Sequence, residues 1–175
     1  MTGASAPYVL FMGFPSRDAA GLAAWTAFRE LVGVGAGLGV VAEPTRSRVA
    51  RSLHTVGHQV GIWRLLAPNN REIGRSAFLF GTFAAARANV SQLKEQTAEM
   101  IATTFHGPIA GSHGWFVGIG GRLVFTCARW YETASLSLEA AEKAVAALRD
   151  AVVTDHPRRV VGARAELPSA ELASW

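Results

Sequence analysis

The 175-residue chain holds a single cysteine, Cys127, so no intramolecular disulfide can form and a Cys-cluster metal site is excluded. Lysine is scarce: only Lys94 and Lys143 accompany the arginines among 17 basic residues. No block of one charge sign is present either. Residues 1–56 carry a net +2, 57–107 +2, 108–156 −1 and 157–175 +1, so the total of +4 is spread thinly. A nucleic-acid binder usually concentrates its charge more than this. No pair of carboxylates stands out, and Glu72, Glu95, Glu99, Glu132, Glu139 and Glu142 read as turn and helix-surface residues. Residues 1–20 lack a basic segment leading into an apolar one, which argues against a secretory signal and predicts a cytoplasmic protein.

A long uninterrupted apolar run is missing too. Leu22 to Val41 has the length of a membrane span, but Arg29 and Glu30 sit near its middle. Each would cost about 2.5–3.5 kcal/mol at a bilayer centre. The segment instead predicts a soluble helix over 16–32 followed by a flexible stretch with Gly at 33, 35, 37 and 39. That stretch, GVGAGLG, does not satisfy G-x-G-x-x-G and does not follow a strand, so no nucleotide loop is expected. No membrane association is expected.

What the sequence does have is self-similarity in its second half. IWRLLAPNNREIGRSAFLF (62–80) aligns with GWFVGIGGRLVFTCARWY (114–131), with Trp63 on Trp115, Leu65 on Val117, Ala67 on Ile119, Arg71 on Arg122, Ile73 on Val124, Ser76 on Cys127 and Phe80 on Tyr131. With four extra residues in the second copy, Ala86 then meets Ala141, Val90 meets Val145 and Leu93 meets Leu148. Each copy opens on an alternating strand and turns through Pro68-Asn69-Asn70 or Gly120-Gly121. A second strand follows, near 71–79 or 122–131. A helix comes next, with stripes Phe83, Ala86, Val90, Leu93, Thr97 and Leu138, Ala141, Val145, Leu148, Val152 at steps of three and four. Thr82 and Ser137 are the expected caps. Returning runs at 100–106 and 151–156 complete a β-β-α-β unit, too small to cover its own sheet alone.

The residues Trp63, Leu65, Ala67, Asn69, Ile73, Ser76, Phe80, Val90 and Leu93, and in the second copy Trp115, Val117, Val124, Tyr131, Val145 and Leu148, resemble the YegP-like family of uncharacterised bacterial tandem domains. The resemblance spans roughly residues 60–155. It implies an α+β fold in which both repeats share one antiparallel sheet with the two helices packed on it, and exchange of the last strands between repeats. It implies no activity and no catalytic residues. The expected organisation is therefore an N-terminal extension over 1–56 (helix plus Gly-rich and Arg-bearing linker), repeats over 57–107 and 108–156, and a flexible tail over 157–175.

Candidate chemistry is thin. His54 and His58 are four apart but lack a third ligand, and His106 and His113 bracket the Gly/Pro linker between the repeats. Cys127 could act as a nucleophile only beside a base, and its alignment with Ser76 reads as a small buried strand residue. Trp63 and Trp115 are expected in the core, with Phe78, Phe116 and Trp130 as an exposed patch. The leading expectation is a non-enzymatic binding module without cofactor or metal, acting by surface binding or self-association with an unidentified partner. The alternative is a nucleic-acid accessory protein using Arg46, Arg48, Arg51, Arg64, Arg71, Arg75, Arg122 and Arg129 with the strand aromatics. A third is an enzyme with a site at the repeat junction.

Overall fold

Alternation at Trp63-Leu65 and Trp115-Val117 puts one side of each strand under a helix, and the helix stripes supply the matching cover. The computed structural model describes residues 6–37 and 59–160. Its elements in chain order are β1 (Tyr8–Phe14), α1 (Ala20–Gly35), β2 (Val60–Leu66), β3 (Glu72–Ser76), α2 (Phe83–Glu95), β4 (Ile101–His106), β5 (His113–Ile119), β6 (Arg122–Thr126), α3 (Ala134–Asp150), β7 (Val152–Val153) and β8 (Arg158–Arg159). The eight strands form one sheet in the order β4-β5-β6-β3-β2-β1-β7, with β8 also on β1. The fold is α+β. Only the short β7 and β8 pair in parallel, both with β1.

The sheet reads as two three-stranded meanders, β1-β2-β3 and β4-β5-β6, joined where β3 pairs antiparallel with β6. Phe11 lies opposite Trp63 in one and Thr104 opposite Trp115 in the other. Both meanders carry a register shift one strand in, at Leu65/Leu66 and at Val117/Gly118. Asn70 (φ 64°) turns the first hairpin, and Gly120 and Gly121 (φ 55° and 77°) turn the second. Val9, Phe11, Trp63, Leu65, Trp115, Val117 and Phe125 point to one face, where α2 and α3 close a core with Val90, Ala141 and Leu148.

Several expectations need correction. Tyr8–Phe14, read as part of an extension without a strand, is a sheet strand with Val9 and Phe11 fully buried. Its apolar residues do not alternate with polar ones because its second face is covered as well. There Phe14, Leu22, Trp25, Val60 and Ile62 form a second cluster under α1. The helix expected over 16–32 runs from Ala20 to Gly35, ending where Gly37 takes φ 65°. A Cβ on Gly35 would come 2.4 Å from the Phe105 ring, so the glycine permits close helix–strand approach. The second helix starts a turn earlier than expected. Thr133, not Ser137, caps it by accepting from the Leu136 amide, as Thr82 accepts from Ala85 in α2. Counted from these caps, Val90 falls on Ala141 and Leu93 on Ala144, and the four extra residues lengthen the far end of α3. Leu138 is accordingly 40% exposed, and Val152 leaves the helix for β7. Arg158 and Arg159, placed in a flexible tail, pair with β1.

Candidate functional site

Arg64 and Arg75 stand directly opposite each other on β2 and β3, an arrangement that like charges disfavour. Glu72 resolves it. One carboxylate oxygen takes the Arg64 guanidinium at 2.5 Å and the other takes Arg75 at 2.8 Å. Arg64 also lies against the Met12 sulfur at 3.3 Å, and Arg75 lies over the Phe28 ring of α1 at 5.7 Å. Both arginines are thus engaged within the molecule. Arg71 ends the first hairpin turn, and Arg122 opens β6 directly after the second. Because β3 and β6 pair at Arg75–Thr126, those turns lie at opposite ends of the sheet, about 26 Å apart at 3.3 Å per strand residue. Arg46, Arg48, Arg51, His54 and His58 lie outside the described residues.

The aromatics expected as an exposed patch are not one. Phe78 is buried. Trp130 packs between Phe28 of α1, tilted at 4.8 Å, and Phe105 of β4, edge-on at 5.8 Å, and Phe116 lies 6.2 Å from Phe105. Trp63 and Trp115 are fully buried, with their indole N–H groups donating to Asn89 (3.0 Å) and to the Tyr131 hydroxyl (3.3 Å).

Cys127 is buried in the sheet, where its sulfur accepts the Trp115 amide at 3.3 Å. Burial pushes its pKa up to about 11, against weaker opposing pulls from the Trp115 and Arg129 backbone groups. The thiol form persists at neutral pH, the reverse of an activated nucleophile. His106 and His113 do meet, opposite each other on β4 and β5 with ring centroids 5.0 Å apart. The His113 Nδ1 is buried without a partner. Among the described residues no group of three His, Cys, Asp or Glu side chains could hold a metal.

Two features that the sequence did not single out emerge instead. The first is the outer edge at β4. Among the described residues β4 pairs only with β5, and Ile101-Ala102-Thr103-Thr104-Phe105-His106 contains no lysine, arginine, acid or proline. Ile101 is 67% exposed, and Thr103 is exposed. The Trp115 amide and carbonyl both bond to Cys127, so the alternate residues of β5 bond to β4. That leaves the backbone groups of Ala102, Thr104 and His106 facing outward. The second feature is a cleft of about 450 Å³ between α3 and the first hairpin turn, lined by Arg71, Ile73, Arg129, Tyr131, Leu136 and Lys143 among others. The Arg129 guanidinium lies 4.9 Å over the Tyr131 ring. Among the described residues no helix is long and apolar enough to cross a membrane.

No protein-family model matches the sequence, and no curated protein is a significant match. Among solved structures, the chain is similar to the solution NMR structure of yegP from E. coli, a protein of unknown function. The two share 10% sequence identity over 90% of this chain and 97% of that one, with a TM-score of 0.47.

Proposed function

We propose that the protein is a non-enzymatic module that self-associates by adding the β4 edge of one copy to the β4 edge of a second, antiparallel about a local twofold axis. The observation that carries this reading is the contrast between the two sheet edges. At one edge β1 is covered by the very short β7 and β8, the latter made of Arg158 and Arg159. Short strands and charge are the usual protection of an edge against another chain. At the other edge β4 has six residues, no formal charge at neutral His, and outward-facing backbone groups. Antiparallel self-pairing would pair those groups, and it would bring Ile101 of one copy toward the Phe105 end of its partner. Like-charge repulsion, the common barrier to symmetric contacts, is missing from this strand.

The double variant Ile101→Lys/Thr103→Lys places like charges on the edge without touching the core, since both side chains are exposed. Analytical ultracentrifugation should give a dimer for the wild type and a monomer of unchanged melting temperature for the variant. A wild type that is monomeric at about 100 μM, a concentration that populates weak micromolar complexes, overturns the reading.

Within this reading the chain's two β-β-α-β segments, over 57–107 and 108–156, are copies of one unit. The paired caps, paired register shifts and the Ser76/Cys127 correspondence support it. A cytoplasmic setting fits a lone cysteine kept as a buried thiol. The nucleic-acid alternative rests on Arg46, Arg48 and Arg51, outside the described residues, and within them on Arg71, Arg122 and Arg129, because Arg64 and Arg75 are held by Glu72. It predicts binding to a single-stranded oligonucleotide that falls with salt and with removal of those arginines.

A further inference from the structure

We propose that the cleft between α3 and the β2–β3 turn binds a small organic carboxylate, its head held by Arg71 and Arg129 and its apolar body lying against Ile73, Leu136 and Ala140. The site is independent of the β4 edge. Its volume of about 450 Å³ falls in the range of pockets that take small molecules. Three cations line it, Arg71, Arg129 and Lys143, against two carboxylates. Those carboxylates are already engaged. Glu72 has one oxygen on Arg64 and the other on Arg75, and Glu139 pairs with Lys143 at 2.5 Å. The Lys143 ammonium beside it holds the Glu139 carboxyl below its usual pKa. Arg71 has no ion pair among the described residues, and Arg129 rests on an aromatic face rather than on an acid. Two guanidinium groups without a carboxylate, lining one concavity, match the forked geometry of an incoming carboxylate.

The framework holds both arginines in place. The turn bearing Arg71 is closed by the Ala67 amide donating to the Arg71 carbonyl at 2.8 Å. The Arg71 amide in turn donates to the Asn69 side chain at 3.2 Å. Tyr8 adds a hydroxyl hydrogen bond to Asn70 at 2.6 Å. On the other wall, Tyr131 accepts from the buried Trp115 indole, so the ring under Arg129 is anchored in the core. The apolar lining separates this site from a bare phosphate sink, which would need no Ile73 or Leu136. The pseudo-equivalent place in the other half cannot serve. There, residues matched by the alignment and the helix caps put Phe78 in place of Arg129 and Gln92 in place of Lys143.

The test is a ¹⁵N–¹H NMR titration of the full chain with 4-phenylbutyrate, its neutral amide and inorganic phosphate. A Kd on the order of 1 mM or tighter is expected for the acid, given its size, with shifts centred on residues 67–73, 129–131 and 136–147. The amide and phosphate should each bind at least about tenfold more weakly, since one lacks the charge and the other the apolar body. Arg71→Gln and Arg129→Gln should each weaken the acid about tenfold, whereas Arg122→Gln at the far turn should change nothing. Equal binding of acid and amide overturns the proposal, because the cleft would then be merely apolar. Phosphate binding as tightly as the acid overturns it as well, as does a double Arg71→Gln/Arg129→Gln variant that binds like the wild type. No shift changes up to about 10 mM acid, well above the expected Kd, is equally fatal. Repeating the titration on Ile101→Lys/Thr103→Lys should give the same Kd, which keeps this outcome separate from that of self-association.

Discussion

In the half of the sheet built from β1, β2 and β3, the Trp63 amide is received by a hydroxyl, Ser76 Oγ at 3.3 Å, which itself donates to the Phe78 carbonyl at 3.0 Å. In the half built from β4, β5 and β6, the Trp115 amide is received by a sulfur, Cys127 Sγ, at the same 3.3 Å. Both tryptophans are fully buried, and Phe125 packs against each, at 5.8 Å and 5.6 Å between centroids. The halves therefore agree in geometry and differ in chemistry. They also differ in what surrounds them. The first half has α1 between β1 and β2 and has its outer edge covered by β7 and β8. The second joins β4 to β5 through residues 107–112 and leaves β4 bare among the described residues. The difference teaches that the core geometry tolerates a change of atom, while among the described residues the protected edge and the extra helix belong to one side.

The comparison can be broken most forcefully at the tryptophans. Trp63→Ala and Trp115→Ala should each cost about 3–5 kcal/mol in chemical denaturation, as large core truncations do. A loss several-fold smaller at one of them would end the equivalence of the halves. Next in size is Ser76→Ala. It strips the buried Trp63 amide of its side-chain acceptor and should cost about 1–3 kcal/mol, measured the same way. Smaller still are the caps. Thr82→Ala and Thr133→Ala should each cost about 1 kcal/mol, whereas Ser135→Ala on the exposed first turn of α3 should lie within about 0.5 kcal/mol of wild type.

Cys127 supplies an effect of a different kind, one that emerges in alkali. Its folded pKa, about 11, lies above the 9.0 of a free thiol, so the folded state favours the protonated form. Stability from this source is intact below pH 9 and is lost as pH rises from 9 through about 11. Cys127→Ala should lack that component, which urea titrations at pH 8, 9.5 and 11 would show as a shallower decline. The folded thiol should also resist a disulfide reagent at pH 8 and react fully in denaturant.

The periodic parts of this architecture were legible. Trp63-Leu65 and Trp115-Val117 could be placed in the core from their matching two-residue spacing, even though β2, unlike β5, is buried on both faces, and the Asn70 and Gly120-Gly121 turns announce hairpins through residues that tolerate positive φ. Tyr8–Phe14 escaped because both of its faces are covered, which erases alternation, and because its antiparallel partner β2 begins some 45 residues later. The start of α3 was misjudged because matching Val145 to Val90 by residue type competes with the cap signal at Thr133, and the cap decides where a helix begins. The cleft had no linear signature at all, since its walls come from a turn, the segment after β6 and one side of α3.

By itself the sequence determined the local pieces: hairpins, amphipathic helices, the Thr82 cap and the buried tryptophan positions. Each depends on interactions within a dozen or so residues. Only the tertiary structure decided that β4 lies against β5 and β7 against β1, that Glu72 holds Arg64 and Arg75 together, and which edge stays open among the described residues. Strand partners and shared ion pairs depend on how the whole sheet closes. A strand carries the same backbone hydrogen-bonding groups toward every possible neighbour, so its own residues cannot choose among them.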